Sequence, residues 1–170
     1  MSRPDVGLSF DASLVKLFQE GDVHSKEAKR VARLICQKRP LYTTNELVNV
    51  VIGETNKNKH YKKSPATLIF QSLRIAVNDE LYELEKLLKI VPRILDDDCN
   101  FVVISFHSLE DRRVKVSFKQ LSKMEIRKNQ KIFQLITKKP FIPNDNEIKC
   151  NPRSRSSRLR VLKRLGNSEC

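Results

Sequence analysis

Apolar residues recur every three or four positions through much of this chain, a spacing typical of amphipathic helices. The repeat is longest between Pro65 and Val91. It is weak before residue 25, where Leu14, Leu17 and Phe18 predict a single helical turn. Longer helices are predicted over 25–39, 44–52, 65–91 and 109–121.

Capping residues and helix breakers set the ends of these helices. Thr43 and Glu46 have the spacing of a capping box, which predicts a helix start. Pro92 is predicted to end the long helix, because the residue before a proline disfavours helical backbone. Asn78 and Asp79 are poor helix formers in the middle of that helix, which indicates that something other than local propensity keeps them there.

Three shorter apolar runs predict strands. The unbroken run Phe101–Ile104 is typical of strands buried on both faces of a parallel sheet, and it predicts a strand over 100–106. Two further short strands are predicted over 132–137 and 158–163. Strands interleaved with helices favour an α/β fold.

A dense polar cluster follows the unbroken run and includes Ser105, His107 and Asp111. In open α/β sheets, ligands bind just beyond the carboxyl ends of such strands, so we expect these side chains to contact a substrate. The alternative is a strand followed by a capped helix. In that case His107 is a satisfied turn residue. Asp111 lies near the N-terminus of the predicted helix, and a role in capping that helix and interacting with its dipole is expected for it.

The charge balance favours a polyanionic partner. Lysine and arginine total 33 against 20 acidic residues, a formal net charge of +13. No apolar stretch approaches the roughly 20 residues of a membrane span, and the N-terminus lacks the apolar core of a signal peptide. The four cysteines are scattered without a C-x-x-C pair, which argues against a zinc site and suits a reducing compartment. We expect a cytoplasmic protein with no metal site and no membrane partner.

Several basic positions are candidates for contact with RNA. The segment Asn151–Arg158 alternates arginine with serine, and guanidinium groups match the geometry of phosphate. A basic linker over 56–63 is a second candidate segment, and the alternative for both is a solvated basic loop. The individual candidates are Arg74, Arg112, Lys138, Lys139, Arg153, Arg155 and Arg158.

Four motifs in a fixed order carry a resemblance to a known family. The first is Ser-Pro-Ala-Thr at 64–67, continued by Phe-Gln-Ser-Leu-Arg-Ile-Ala-Val-Asn-Asp-Glu-Leu at 70–81. The others are Ile-Ser-Phe-His-Ser-Leu-Glu-Asp-Arg at 104–112, Thr-Lys-Lys-Pro at 137–140 and Asn-Pro-Arg-Ser-Arg-Ser at 151–156. Together they resemble the bacterial 16S rRNA cytosine-N(4) methyltransferase family, called RsmH or MraW.

The resemblance implies an S-adenosylmethionine-dependent enzyme that methylates the exocyclic amine of a cytosine in the 16S rRNA of the small ribosomal subunit. It implies a class I, Rossmann-like methyltransferase fold with an inserted helical subdomain. Residues 1–62 would be an incomplete helical substrate-recognition subdomain, and 63–170 the C-terminal part of the α/β domain. Asn78 and Asp79 join Ser105, His107 and Asp111 as substrate-side candidates, but no catalytic residue is identified.

The chain departs from the family in its cofactor motifs. The family binds its cofactor in an N-terminal half with a glycine-rich turn, whereas this chain has four glycines and no G-x-G-x-x-G. No cofactor-binding residue is therefore predicted in this chain, and the methyltransferase sheet is expected to be partial. We expect activity to require a separately encoded N-terminal half. The alternatives are an inactive RNA-binding fragment and a remnant of a truncated gene.

Overall fold

The computed structural model describes residues 10–53, 65–127 and 130–166. They belong to two compact units, residues 1–80 and 81–170. The predicted boundary between 62 and 63, like the basic linker 56–63, lies outside the described residues. The assignment of the two parts to substrate recognition and to a methyltransferase domain stays a prediction.

The first unit is helical in the part that the structure describes. Its core is built from the apolar faces of the helices, with Phe18, Val31, Val51 and Ile69 fully buried. α1 packs against α2 and α4, and α3 packs against α2 and α4. The helices are α1 (Phe10–Glu20), α2 (Ser25–Gln37), α3 (Thr44–Ile52) and α4 (Pro65–Asn78). α1 is longer than the single turn predicted, because its buried side chains dock on neighbours that are distant in sequence.

Two local features fix this helical packing. The predicted capping box is confirmed: Thr43 Oγ1 accepts from Glu46 N at 3.2 Å, and the Glu46 carboxylate accepts from Thr43 N at 3.3 Å. Gly21 follows α1 where the chain closely approaches α4. A Cβ there would lie 1.8 Å from Ser72 Oγ, so only glycine fits.

The prediction of one continuous helix over 65–91 is wrong. Asp79 has a positive φ of 50° and separates α4 from α5 (Glu80–Ile94). Asn78 and Asp79 are therefore at a helix break, and their low helix propensity needs no other explanation. Pro92 does not stop α5 but lies within its last turn.

The second unit combines most of α5 with two small sheets and further helices. Its core is formed by Leu88, Val114, Phe118, Phe133 and Leu162. Its elements after α5 are β1 (Asn100–Ser105), α6 (Ser108–Leu121), β2 (Glu125–Arg127), β3 (Gln130–Lys131), β4 (Phe133–Leu135), α7 (Asp145–Cys150), a 3₁₀ helix (Pro152–Ser156) and β5 (Arg158–Arg164). β2 and β3 pair with each other.

The main sheet has the strand order β1–β5–β4, and both pairings are antiparallel. All three predicted strands are confirmed, and the mixed α/β class with them. The predicted parallel arrangement is wrong for the described strands, because an apolar run indicates burial but not the direction of the neighbouring strand.

The two faces of β1 differ in burial. Phe101 and Val103 point towards α6 and the core, whereas Val102 and Ile104 are 50% and 52% exposed. The expectation that this strand is buried on both faces is therefore not met within the part of the chain that the structure describes. Among the described helices, none combines the length and hydrophobicity needed to cross a bilayer.

Candidate functional site

The polar cluster predicted after β1 lies where that strand ends and α6 begins. Ser105, the last residue of β1, is 4% exposed, and its hydroxyl donates to the backbone oxygen of Arg158 at 3.3 Å. Arg158 is the first residue of β5 and is directly opposite Ser105 in the register. The Ser105 side chain therefore fastens the start of β5 to the end of β1.

His107 is the N-cap of α6. Its Nδ1 accepts from Glu110 N at 3.3 Å, while Glu110 Oε2 accepts from Phe106 N at 2.8 Å and from His107 N at 3.3 Å. The histidine and Glu110 thus form a reciprocal capping box. An Nδ1 that accepts carries no proton, so the neutral imidazole has its hydrogen on Nε2. The capped-helix alternative for His107 describes this local geometry.

Asp111 is in the first turn of α6 and joins that helix to β5 by two arginines. Its carboxylate accepts from Arg160 Nε at 2.7 Å and Nη2 at 3.0 Å, and from Arg158 Nη1 at 3.2 Å. Asp111 is 6% exposed and Arg160 is 4% exposed. The helix cap itself comes from His107 and Glu110, so Asp111 does not have the capping role that its position suggested.

The charge of Asp111 is set by opposing effects. Burial on its own raises the pKa of this carboxyl, but the hydrogen bonds and charge of Arg160, and then those of Arg158, outweigh it. The pKa of Asp111 therefore lies below its ordinary value of 3.8. Asp111 is a permanent anion at neutral pH, as expected for a carboxylate that accepts several charge-assisted hydrogen bonds.

The structure thus brings Ser105, Asp111 and Arg158 together, with His107 two residues beyond Ser105 in the chain. Asn78 and Asp79 belong to the first unit. There the Asn78 side chain donates to Glu80 Oε1 at 3.1 Å.

The basic candidates differ in how much of their charge is already used. Arg74 donates through Nε to Glu80 Oε1 at 2.8 Å, and Arg158 is bound to Asp111. Lys138, Lys139, Arg153 and Arg155 are exposed. Arg112 is exposed as well, and it also interacts with another part of the chain.

The turn that contains Lys138 and Lys139 lies beside the 3₁₀ helix that carries Arg153 and Arg155. Phe141, which follows the Lys138–Lys139 turn, forms a bridge with Leu159 on β5, with both backbone bonds at 2.9 Å. The 3₁₀ helix that carries Arg153 and Arg155 leads directly into β5. The lysine turn and the arginine-bearing helix are therefore neighbours at the amino-terminal end of β5.

Sequence reasoning missed three buried polar residues that support these segments. Arg160 carries the strongest bonds to Asp111. Thr137 is 3% exposed, and its hydroxyl accepts from Val161 N at 2.9 Å. Ser154 is 5% exposed and donates to Asn151 O at 2.8 Å. Arg160 had a signal, because strand alternation puts it on the same face as Leu162, where a charged side chain needs a partner.

Residues 9–165 match the family model described as the MraW methylase family. The chain belongs to this family. The resemblance inferred from the four motifs is therefore confirmed.

The MraW relatives are named ribosomal RNA small subunit methyltransferase H. The protein from Cyanothece sp. is 46% identical over 138 residues, which are 81% of this chain and 44% of that protein. The protein from Aliarcobacter butzleri is 45% identical over 161 residues, with coverage of 88% and 52%. The chain spans about half the length of the curated relatives it matches.

In this MraW family member, the second motif builds a junction between β1, α6 and β5. It contributes the Ser105 hydroxyl, the capping box of His107 and Glu110, and the Asp111 carboxylate. The fourth motif is the 3₁₀ helix that enters β5. The second and fourth motifs therefore meet at one strand, β5.

Proposed function

We propose that this chain is the rRNA-contacting part of an S-adenosylmethionine-dependent methyltransferase that modifies the exocyclic amine of a cytosine in 16S rRNA. The observation that carries this proposal is the family match over 9–165, together with relatives named as small-subunit rRNA methyltransferases. The work would take place in the cytoplasm, on the RNA of the small ribosomal subunit. The sheet β1–β5–β4 would be part of a class I methyltransferase sheet.

The basic end of β5 supports an RNA-contacting role. Lys138, Lys139, Arg153 and Arg155 are exposed there on segments anchored by buried hydroxyls. Anchored cations bind phosphate with less loss of conformational freedom than cations on loose loops. Arg112, on α6, and Arg74, in the first unit, are further candidates.

None of the described glycines lies in the kind of turn that approaches a nucleotide-like cofactor such as S-adenosylmethionine. A nucleotide-binding turn places glycine between a strand and a helix so that the backbone can approach the ligand. Gly21 and Gly53 instead follow helices α1 and α3, and Gly166 follows β5. We therefore place cofactor binding in the half of the enzyme that this chain does not span.

The substrate-side candidates are proposed as positioning residues. Ser105 and Asp111 hold the start of β5 and its Arg158, so they act on the RNA surface through that strand. His107 sets the start of α6 and could exchange a hydrogen bond with the cytosine edge. Asn78 and Asp79 are proposed to position the RNA substrate in the same way, from the first unit.

Reconstitution tests the proposal. The 170-residue chain is mixed with a polypeptide that contains the part of the Aliarcobacter butzleri relative lacking a counterpart here. Small-subunit rRNA and labelled S-adenosylmethionine are added, and methylated cytosine is measured by mass spectrometry. We expect methyl transfer with the mixture and none with either polypeptide alone.

A second candidate is a catalytically inactive RNA-binding fragment. Such a fragment could be the remnant of a truncated gene. This candidate is favoured because none of the glycines in the described residues lies in a strand-to-helix turn. RNA binding without methyl transfer in the reconstituted mixture would support this alternative and contradict the enzyme.

A further inference from the structure

A groove lies between α5 and α6 in the second unit, and we call it the α5–α6 groove. It has a volume of about 340 Å³, which is within the range of roughly 300–1,000 Å³ typical of ligand pockets. Leu88 and Lys89 line it from α5, and Arg112, Val116 and Gln120 line it from α6. Of these residues, only Arg112 has a part in the function proposed above.

One ion pair joins the two helices at the groove. Arg113 on α6 donates through Nε to Glu85 Oε1 on α5 at 2.8 Å, and its Nη1 donates to Leu109 O at 3.4 Å. The carboxylate of Glu85 is therefore already matched by a cation. The guanidinium of Arg113 is held from both sides, and fixed guanidinium planes are surfaces on which unpaired RNA bases stack.

The groove is locally positive. Its lining has three basic side chains against one acidic side chain, a net charge of +2. Lys89 is exposed, and none of the described side chains pairs with it. Arg112 is exposed as well. The charge of this surface therefore favours an anionic ligand, independently of the charge of the rest of the chain.

The rest of the lining combines apolar and hydrogen-bonding groups. Leu88 is 6% exposed and belongs to the core, whereas Val116 is 50% exposed. Gln120 is four positions after Val116, so the two side chains lie on the same face of α6. Its amide both donates and accepts hydrogen bonds, and Ser117 adds a hydroxyl beside it.

This combination of groups identifies the occupant. An unpaired nucleotide has a phosphate for the cations, an apolar ring face for Val116 and a polar base edge for Gln120. Inorganic phosphate would use only the cations. A nucleotide within a duplex has its ring faces stacked and its pairing edge occupied, so it cannot enter. An acidic peptide matches the cations but offers no planar ring with donors and acceptors at its edge.

We propose that the α5–α6 groove holds one unpaired nucleotide of the small-subunit rRNA. Its phosphate binds Lys89 and Arg112, its base lies against Val116, and Gln120 forms a hydrogen bond with the base edge. This inference rests on the proposed function, because it names a place on the second unit where the RNA substrate of that function binds.

The first test concerns the phosphate. A labelled single-stranded oligonucleotide of small-subunit rRNA sequence is titrated with the full chain, and fluorescence anisotropy is measured at several salt concentrations. Lys89→Ala should lower the slope of log K against log salt by about 0.7, which is about fivefold in affinity near 0.1 M salt. Lys115→Ala is the matched control, because Lys115 is also exposed on α6 but does not line the groove. It should leave the slope unchanged.

The second test concerns the base. Val116→Ser should weaken binding of the single strand by about threefold at every salt concentration, because an apolar contact is lost and no counterion is involved. The same variant should bind duplex RNA of equal length as the unchanged chain does. Val102→Ser is the matched control, since Val102 is also 50% exposed but lies on β1. Melting temperatures of all variants confirm that the fold is kept.

A measurement without substitutions locates the contact directly. The oligonucleotide carries 4-thiouridine, the complex with the unchanged chain is irradiated, and the cross-linked peptides are identified by mass spectrometry. We expect cross-links within 85–89 or 112–120. Cross-links that lie only outside α5 and α6 would overturn the inference.

The binding outcomes separate this inference from the proposed function. Unchanged affinity for the single strand in either Lys89→Ala or Val116→Ser would overturn the inference and leave the proposed function standing. Equal loss of single-strand and duplex binding in Val116→Ser would overturn it too, as would displacement of the RNA by poly-glutamate at the same charge concentration. The expected effects of both variants, without methyl transfer in the reconstitution, would support the inference while the proposed activity failed.

Discussion

Asp111 and Arg160 form a two-point ion pair that joins α6 to β5 across 49 positions of the chain. Both side chains are almost fully buried, and Arg158 binds the same carboxylate from the surface side. The pair holds the start of α6 next to the start of β5. It thereby also fixes the position of the second motif relative to the fourth.

Asp111→Asn should destabilise the second unit strongly. It leaves the guanidinium of Arg160 buried without a counter-charge, and breaking a buried pair from one side costs about 3–5 kcal/mol. Urea unfolding monitored by circular dichroism measures the loss. Glu83→Gln breaks the exposed pair with Lys86 and should change stability by less than about 1 kcal/mol. Similar losses in the two variants would contradict the structural role of Asp111.

The stabilisation by Asp111 should depend on pH in one direction. Its pKa in the folded chain lies below the ordinary 3.8, so its stabilisation is complete above the unfolded value and is lost as the pH falls through the folded value. The difference in unfolding free energy between the unchanged chain and Asp111→Asn should be constant from neutral pH to about pH 5. It should narrow at lower pH. Urea titrations at stepped pH measure it, and a gap that widens on acidification would refute this assignment.

His107→Ala should reduce stability by about 1 kcal/mol, because α6 loses the acceptor for Glu110 N. His107→Asn should keep most of the stability of the unchanged chain, since asparagine is a favourable N-cap. Thermal unfolding compares the two variants. Assayed in the reconstituted enzyme, His107→Asn separates the roles: full turnover means that His107 only caps α6. A loss of turnover by about tenfold or more at unchanged stability means that it contacts substrate.

Replacing Arg153 and Arg155 together by alanine should flatten the salt dependence of RNA binding. Each lost phosphate contact lowers the slope of log K against log salt by about 0.7 to 0.9. Arg158 is left unchanged, because its removal would also disturb Asp111. The control is Lys115→Ala with Lys119→Ala, which removes the same charge from exposed positions on α6. Fluorescence anisotropy at several salt concentrations measures the slopes. If the arginine double variant and the unchanged chain had equal slopes, Arg153 and Arg155 would not contact phosphate.

The isolated chain should not bind S-adenosylmethionine, because none of its described glycines forms a strand-to-helix turn. Calorimetry with the pure 170-residue chain measures this directly. Micromolar binding would place a cofactor site in this chain and contradict the proposed division of labour. S-adenosylhomocysteine titrated in parallel is the matched probe, since it keeps the adenosyl group and lacks the methyl group.

The sequence predicted the three strands and most helix positions because their apolar periods are strong. It did not predict the break at Asp79, because the helical spacing of apolar residues continues on both sides of that residue. The positive φ of Asp79 agrees with the low helix propensity of Asn78 and Asp79, a local signal that periodicity does not encode. The sequence also predicted that Pro92 ends the helix, whereas the structure continues α5 to Ile94. Val91 is buried and accepts from Leu95 N, so packing extends α5 past the proline.

The candidate site was predicted in part. The polar residues after β1 do gather at one junction, but the sequence could not assign their partners. Asp111 pairs with Arg160, which is distant in sequence and lies in β5, where basic and apolar residues are mixed. Separations of this size are set by topology, and a single sequence carries no direct signal of them.

The strand order has a consequence for how the protein is made. β1 and β4 each pair only with β5 among the described strands, and β5 is the last of them to be synthesised. The chain emerges from the ribosome with its N-terminus first. The helical first unit can therefore fold while β1 is still unpaired, because β5 has not yet been synthesised. Truncation before Arg158 would remove the strand to which both other described strands of this sheet are paired. A stop codon just before Arg158 would therefore be as damaging to the second unit as one before β1.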